Sequence, residues 1–249
     1  MRDLGSMRSL AELQDMAEMV VLIVGGAGYL GSTMADALAE AGAKIAIVDR
    51  NEEVGNKVCR QIKLRHDTEA VFFEGEISDD KFLGSIPDKV SEHFGRLDGV
   101  VYAAAIVLDK HIDGWAVDFE KQSSDLWQYA LQVNLTGAFT VAREAFKYLK
   151  ESGSGFVINI ISHYGVIGPD WSLYEDTTMG NAAAYAASKG GLLQLTRWLA
   201  STMAPTVRVN AITPGGIFRD HTDPFLRRYE AKTLLGRMGN EEDFKGASV

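Results

Sequence analysis

Tyr185 and Lys189 stand four residues apart in Ala184-Tyr-Ala-Ala-Ser-Lys-Gly, and a helix brings side chains at that spacing onto one face. Such a pair can handle a proton. A phenol with an ordinary pKa of about 10 is a poor base at neutral pH, and a neighbouring ammonium stabilises the phenolate and draws it toward working range. Two unrelated surface residues would carry the same spelling, so a second constellation is needed to give the pair a purpose.

That constellation is Gly25-Gly26-Ala27-Gly28-Tyr29-Leu30-Gly31, directly after an apolar run and at the opening of a helical stretch. In this context a glycine-rich turn lets backbone approach a pyrophosphate while the helix N-terminus faces the anion. A tight strand-to-helix turn with no ligand is the plainer reading of the glycines. Their position relative to Asp49, 21 residues past Gly28 and at the end of the second apolar run, favours a dinucleotide. A carboxylate there accepts hydrogen bonds from ribose hydroxyls and repels a 2′-phosphate, which predicts NAD over NADP. Arg50 is the counterweight, either a 2′-phosphate ligand or a solvated charge at a helix start.

The elements that must hold these residues are legible as alternating segments. Strand-like runs fall at 19–24, 44–48, 70–73, 99–104, 156–161 and 207–212, and helical periodicity occupies 30–41, 51–65, 79–94, 125–150, 182–203 and 225–234. The strands are continuous Val/Ile/Ala runs, as expected of a parallel sheet covered on both faces. The expectation is an α/β fold, a doubly wound Rossmann-like sheet in one domain over 19–249, preceded by a helical or disordered lead-in over 1–18. No repeat or Pro/Ser-rich linker marks a further boundary.

Composition narrows the partners. With 25 Lys+Arg against 34 Asp+Glu, the net charge of -9 repels phosphate backbones and anionic membrane faces, so neither nucleic acid nor a membrane is expected as a partner. The longest candidate span, 19–24, falls far short of the ~20 residues a membrane helix needs. Glu12, Asp15 and Glu18 are out of place in a secretory leader, and the single cysteine, Cys59, permits no intrachain disulfide. A cytoplasmic protein is the resulting expectation, with no metal site.

The glycine turn, Asp49, Asn134, Ser162, Tyr185-x-x-x-Lys189 and Pro214-Gly215 stand in an order that resembles the short-chain dehydrogenase/reductase family, from about residue 20 to the C-terminus. The resemblance implies hydride transfer between NAD(H) and an alcohol or carbonyl substrate. It implies that Tyr185 is the general acid/base and also contacts the cofactor, that Lys189 lowers its pKa and binds the nicotinamide ribose, that Ser162 holds the substrate oxygen, and that Asn134 anchors a water linking Lys189 to solvent. It further implies contacts to the cofactor from Gly25, Gly28, Tyr29, Leu30 and Gly31 at the turn, from Glu76 and Ile77 at the adenine, from Ala103, Ala104 and Ala105 beneath the ribose, and from Pro214, Gly215 and Ile217 near the carboxamide. A small-molecule substrate and a homo-oligomer are the implied partners.

Three spellings depart from the family pattern. The Gly-x-x-Gly-x-x-Gly turn resembles the sugar-nucleotide branch, Tyr102-Ala-Ala-Ala replaces Asn-Asn-Ala-Gly and so removes side-chain ties between strands, and Glu76 stands for an aspartate. Two stretches are longer than the pattern requires: 111–120, with His111, Asp113, Trp115 and Asp118, and the stretch containing Trp171, Tyr174, Glu175 and Asp176. Aromatic faces with acidic acceptors suit a sugar or polyol; solvated loops or oligomer contacts are the alternative. The family's last strand and glycine-rich tail are expected to be missing after Val249. The rival functions are a sugar-nucleotide epimerase or dehydratase, disfavoured because only about 35 residues follow Pro214, and a non-catalytic NAD-binding protein, disfavoured because Asn134, Ser162, Tyr185 and Lys189 are all present.

Overall fold

The computed structural model describes residues 7–107 and 112–249. Six strands form one parallel sheet: β1 (Val20–Val24), β2 (Lys44–Asp49), β3 (Ala70–Glu74), β4 (Gly99–Tyr102), β5 (Phe156–Ile160) and β6 (Arg208–Ile212). Their order is β3-β2-β1-β4-β5-β6, so the direction of winding reverses between β1 and β4. That reversal opens a crevice at the C-terminal ends of the two strands. In register there, Val24 of β1 faces Val48 of β2 on one side and Tyr102 of β4 on the other.

Successive strand residues point to opposite faces, and both faces of this sheet are dry. Val20, Leu22, Val24 and Val100 pack with Leu83, Val141 and Leu192 on one side, while Val21, Ile23, Ile45 and Ile47 pack with Met34, Leu38 and Ile62 on the other. The covering helices are α2 (Tyr29–Glu40), α3 (Glu52–His66), α4 (Asp80–Phe94), α5 (Ser124–Leu131), α6 (Gly137–Glu151), α7 (Ala183–Met203) and α8 (Asp223–Lys232). A short α1 (Leu10–Gln14) lies in the N-terminal lead-in, begun by a reciprocal Ser9/Glu12 capping box. Among the described residues no helix is long and apolar enough to cross a membrane.

Three elements differ from the sequence expectation, and the simplest is α8, which runs from Asp223 to Lys232 and not over 225–234, with Pro at its first turn. The fourth strand ends at Tyr102, not at residue 104, because Ala103 and Ala104 turn to meet the glycine loop: a Cβ on Gly25 would lie 2.6 Å from the Ala104 backbone. The helix expected over 125–150 is divided by a π-helical segment at Gln132–Thr136. A π turn inserts an extra residue and alters the carbonyl ladder. Here the Tyr102 hydroxyl, reaching up from β4, donates to the Val133 carbonyl. Strand β4 is therefore tied by a side chain to the π segment that covers it, a phenol contact to a helix and not the side-chain tie to a neighbouring strand that the usual spelling supplies.

Candidate active site

Helix α7 presents Tyr185 and Lys189 toward the C-terminal end of β5. The Lys189 ammonium nitrogen, Nζ, donates to the Ile160 carbonyl at 2.7 Å and lies 5.9 Å from the centre of the Tyr185 ring. Tyr185 lies near enough to the Ser162 side chain for the serine to favour its ionised form. Ser162 follows β5 directly, and its Oγ accepts from the Tyr164 amide at 3.2 Å, so it caps the turn at His163–Gly165. The close fit depends on Gly165: a Cβ there would sit 2.7 Å from the Lys189 backbone.

Burial dominates the electrostatics of the pair. It lowers Lys189 from 10.5 to about 7 and raises Tyr185 above the ordinary phenol value, an effect that Ser162 partly opposes. Near neutral pH Lys189 is thus divided between amine and ammonium. The ammonium that the sequence assigns to phenolate stabilisation must be held against desolvation, with the Ile160 carbonyl as its partner.

Asn134 lies inside the π segment and is fully buried. Its Oδ1 accepts from the Ile106 amide at 2.7 Å and its Nδ2 donates to Ser188 Oγ at 2.9 Å. Ser188 precedes Lys189 and donates to the Tyr185 carbonyl at 2.8 Å. Asn134 therefore links the chain after β4 to the helix that carries Tyr185 and Lys189, by contacts distant in sequence.

The glycine turn runs along the crevice at the winding reversal. Gly25 has φ of +81°, a conformation that favours glycine, and a Cβ on Gly31 would meet the Gly25 carbonyl oxygen at 2.2 Å. Gly28 begins α2 without a side-chain cap, which leaves the first-turn amides of Tyr29, Leu30 and Gly31 as donors for an anion. Asp49 ends β2 with Oδ2 accepting from the Ala27 amide at 3.1 Å and Oδ1 from the Asn51 amide at 3.3 Å. These bonds fix the carboxylate beside the turn with lone pairs to spare. Arg50 is exposed next to it. Glu76 is exposed and Ile77 buried beyond β3, Ala103 to Ala105 line the crevice after β4, and Pro214, Gly215 and Ile217 follow β6. An open helix N-terminus and a carboxylate at the end of the second strand are the donor and acceptor set that a dinucleotide requires.

The family model described as short chain dehydrogenase matches residues 19–229. The chain belongs to the short-chain dehydrogenase family. It is accordingly an oxidoreductase acting on alcohol and carbonyl groups with a nicotinamide cofactor. It is 32% identical to an uncharacterized oxidoreductase of Thermotoga maritima over 90% of this chain and 86% of that protein. It is 29% identical to the cyclopentanol dehydrogenase of Comamonas sp. over 88% and 84% respectively. A crystal structure of a short-chain type dehydrogenase/reductase from Mycobacterium marinum superposes with a TM-score of 0.83 at 26% identity, covering 97% of this chain and 90% of that one.

Within this short-chain dehydrogenase, Asn134, Ser162, Tyr185 and Lys189 come together at one end of the sheet, next to the glycine turn. The long loops are arranged differently from an open row of aromatic faces. Tyr174 is buried with its hydroxyl bonded to that of Tyr164, Trp115 is 2% exposed, Asp176 pairs with Arg228, and Asp118 pairs with Lys121. Only Trp171 of these aromatics faces solvent. His111 lies outside the described residues.

Sequence reasoning missed the wall this creates. Tyr164, Tyr174 and Phe225 form a buried cluster against which Tyr185 and Tyr229 pack, and the Gly216 amide donates to the Tyr229 hydroxyl. A Cβ on Gly216 would lie 2.7 Å from the Tyr229 ring. The aromatic spacing Tyr164, Tyr174, Tyr185 was visible in the sequence, but nothing in it signalled that α8 folds back over the segment after β6.

Proposed function

We propose that this protein interconverts a small cyclic alcohol or polyol and its ketone with NAD as the preferred cofactor, using Tyr185 as the general acid/base. The observation that carries the reading is the placement of the buried Lys189 Nζ 5.9 Å from the centre of the Tyr185 ring, at the end of β5 where Ser162 follows. The cofactor, when bound, supplies or accepts the hydride. Ser162 orients the substrate oxygen toward the phenol, and Tyr185 takes the hydroxyl proton in oxidation or returns it in reduction. Lys189, protonated for part of the time at neutral pH, stabilises the phenolate and holds the ribose. Asn134 keeps Ser188, and with it this turn of α7, in place. The aromatic wall of Tyr164, Tyr174 and Phe225 excludes water and favours a ring-shaped carbon skeleton, in keeping with the cyclopentanol dehydrogenase relative. Preference for NAD rests on Asp49, whose carboxylate suits ribose hydroxyls and opposes a 2′-phosphate.

Replacing Tyr185 by Phe tests the mechanism: turnover with a panel of cyclic alcohols and polyols is expected to fall by about a hundredfold or more, with NADH affinity, measured by fluorescence titration, unchanged. Near-wild-type turnover overturns the assignment. Asp49→Ser tests the cofactor: the NAD preference in kcat/KM shrinks, and NADP activity rises because Arg50 then pairs with the phosphate unopposed. A wild-type enzyme that already prefers NADP would make Arg50 the selecting residue.

A further inference from the structure

Arg219 and Tyr29 belong to opposite walls of the crevice, yet they touch. Tyr29 is the first residue of α2, within the glycine turn's sequence, and is 69% exposed as a residue. Arg219 follows β6, in the segment that begins at Pro214, and its guanidinium carbon stands 4.1 Å from the centre of the Tyr29 ring. The backbone that delivers Arg219 is held in place. Ile217 pairs with Gly239 in a parallel bridge, the Phe218 amide donates to the Gly239 carbonyl at 2.9 Å, and the Arg219 amide donates to His221 Nδ1 at 3.0 Å. Glu241 holds the guanidinium Nη2 at 2.6 Å and Nη1 donates to the Phe218 carbonyl, which leaves Nε–H and one N–H on each terminal nitrogen unassigned.

Stacking on an aromatic ring uses the flat face of a guanidinium and leaves its N–H edge pointing sideways, where it can still donate to an anion. Tyr29, whose ring the guanidinium covers, is the first residue of α2, whose N-terminus has no side-chain cap. In a chain of net charge -9, a cation fixed at this point offsets the repulsion that a dianionic pyrophosphate would otherwise meet.

We propose that Arg219 and Tyr29 form a strap across the cofactor crevice, and that the Arg219 guanidinium is a ligand of the dinucleotide's pyrophosphate. Tyr29 supplies the ring that holds the guanidinium flat, and Glu241 is the carboxylate from which the pyrophosphate draws it. The assignment rests on the reading that the dinucleotide lies along the glycine turn.

Fluorescence titration of NADH and of NADPH into the purified protein tests it. Both cofactors carry the same pyrophosphate, so Arg219→Ala is expected to weaken both by the same factor, about tenfold, with a smaller loss at high salt. Tyr29→Ala should weaken both about threefold, while Tyr29→Phe keeps the ring and the affinity. Should Arg219→Ala fail to fold, the two Tyr29 variants carry the same comparison. Asp49→Ser, run alongside, separates the two readings. If it changes the NADH/NADPH ratio while Arg219→Ala and Tyr29→Ala leave both affinities unchanged, the strap is wrong and the cofactor placement stands. If none of the variants changes either affinity, the placement itself is wrong. A loss confined to NADPH overturns the pyrophosphate contact by making Arg219 a 2′-phosphate ligand.

Discussion

Lys189 carries a stability cost along with its place beside Tyr185. Burial lowers it from 10.5 to about 7, so between those values the unfolded chain holds a proton that the folded chain has released. Raising the pH through that window therefore stabilises the fold, and lowering it toward 7 withdraws the contribution. Lys189→Met removes this titration. The gain in unfolding midpoint between about pH 7 and about pH 9 is expected to be smaller in the variant than in the wild type, as read by thermal melts at matched ionic strength. An identical gain in both would mean that Lys189 titrates near its ordinary value. The same substitution also deletes the donor to Ile160 and the proposed ribose ligand, so weaker NADH binding should accompany the loss of turnover.

Among the elements, the π segment Gln132–Thr136 does most to shape the site, because it turns Asn134 toward Ile106 and Ser188. It is fastened from below: Tyr102 donates to the Val133 carbonyl, and Gln132 donates to Asp80 at the start of α4 at 2.8 Å. Burial raises the Tyr102 pKa, which keeps the phenol protonated as a donor. Tyr102→Phe leaves the Val133 carbonyl without that donor and should cost on the order of 1–3 kcal/mol in denaturant unfolding. Gly137→Ala should cost a similar amount, since its Cβ would fall 2.2 Å from the Tyr102 hydroxyl. Combining them relieves the clash by deleting the atom that causes it. The double variant is therefore expected to lose clearly less than the two single losses added together, and simple additivity would show that the hydroxyl does not occupy this position.

At the scale of the whole molecule, the sheet order brings the C-terminal ends of six strands to one edge, and the base of the sheet keeps that order. Asp98 is fully buried just before β4; its Oδ2 accepts from the Val20 amide at 2.8 Å, and both its oxygens accept from Arg96. One carboxylate thus fixes the start of β1 against β4, the two strands that flank the crevice at their other ends. Asp98→Ala strands the Val20 amide and is expected to destabilise the fold by on the order of 2–3 kcal/mol. Asp98→Asn, which retains an acceptor, should cost less; equal losses would point to charge and not to the amide contact. At the C-terminal end of the chain, Lys245 is anchored to α2 through Asp36 at 2.9 Å and Glu40 at 2.8 Å.

The sequence by itself determined the alternation of strands and helices, because apolar periodicity is a local property that each segment carries whatever its neighbours do. It also determined the glycine turn and the face shared by Tyr185 and Lys189, since strand-to-helix geometry and a four-residue helical spacing need no tertiary knowledge. Tertiary structure alone decided the rest. Whether Lys189 is an ammonium depends on how much water its neighbours exclude, and no spacing encodes that. The break in the helix at Asn134 depends on a hydroxyl that arrives from β4, 31 residues earlier in the chain. The absence of the Asn-Asn-Ala-Gly spelling suggested a lost tie where a phenol makes a different one. The burial of Tyr174 and Trp115, and the meeting of Arg219 with Tyr29, follow from loops folding over the sheet edge, where contacts join residues whose separation in sequence carries no periodic signal.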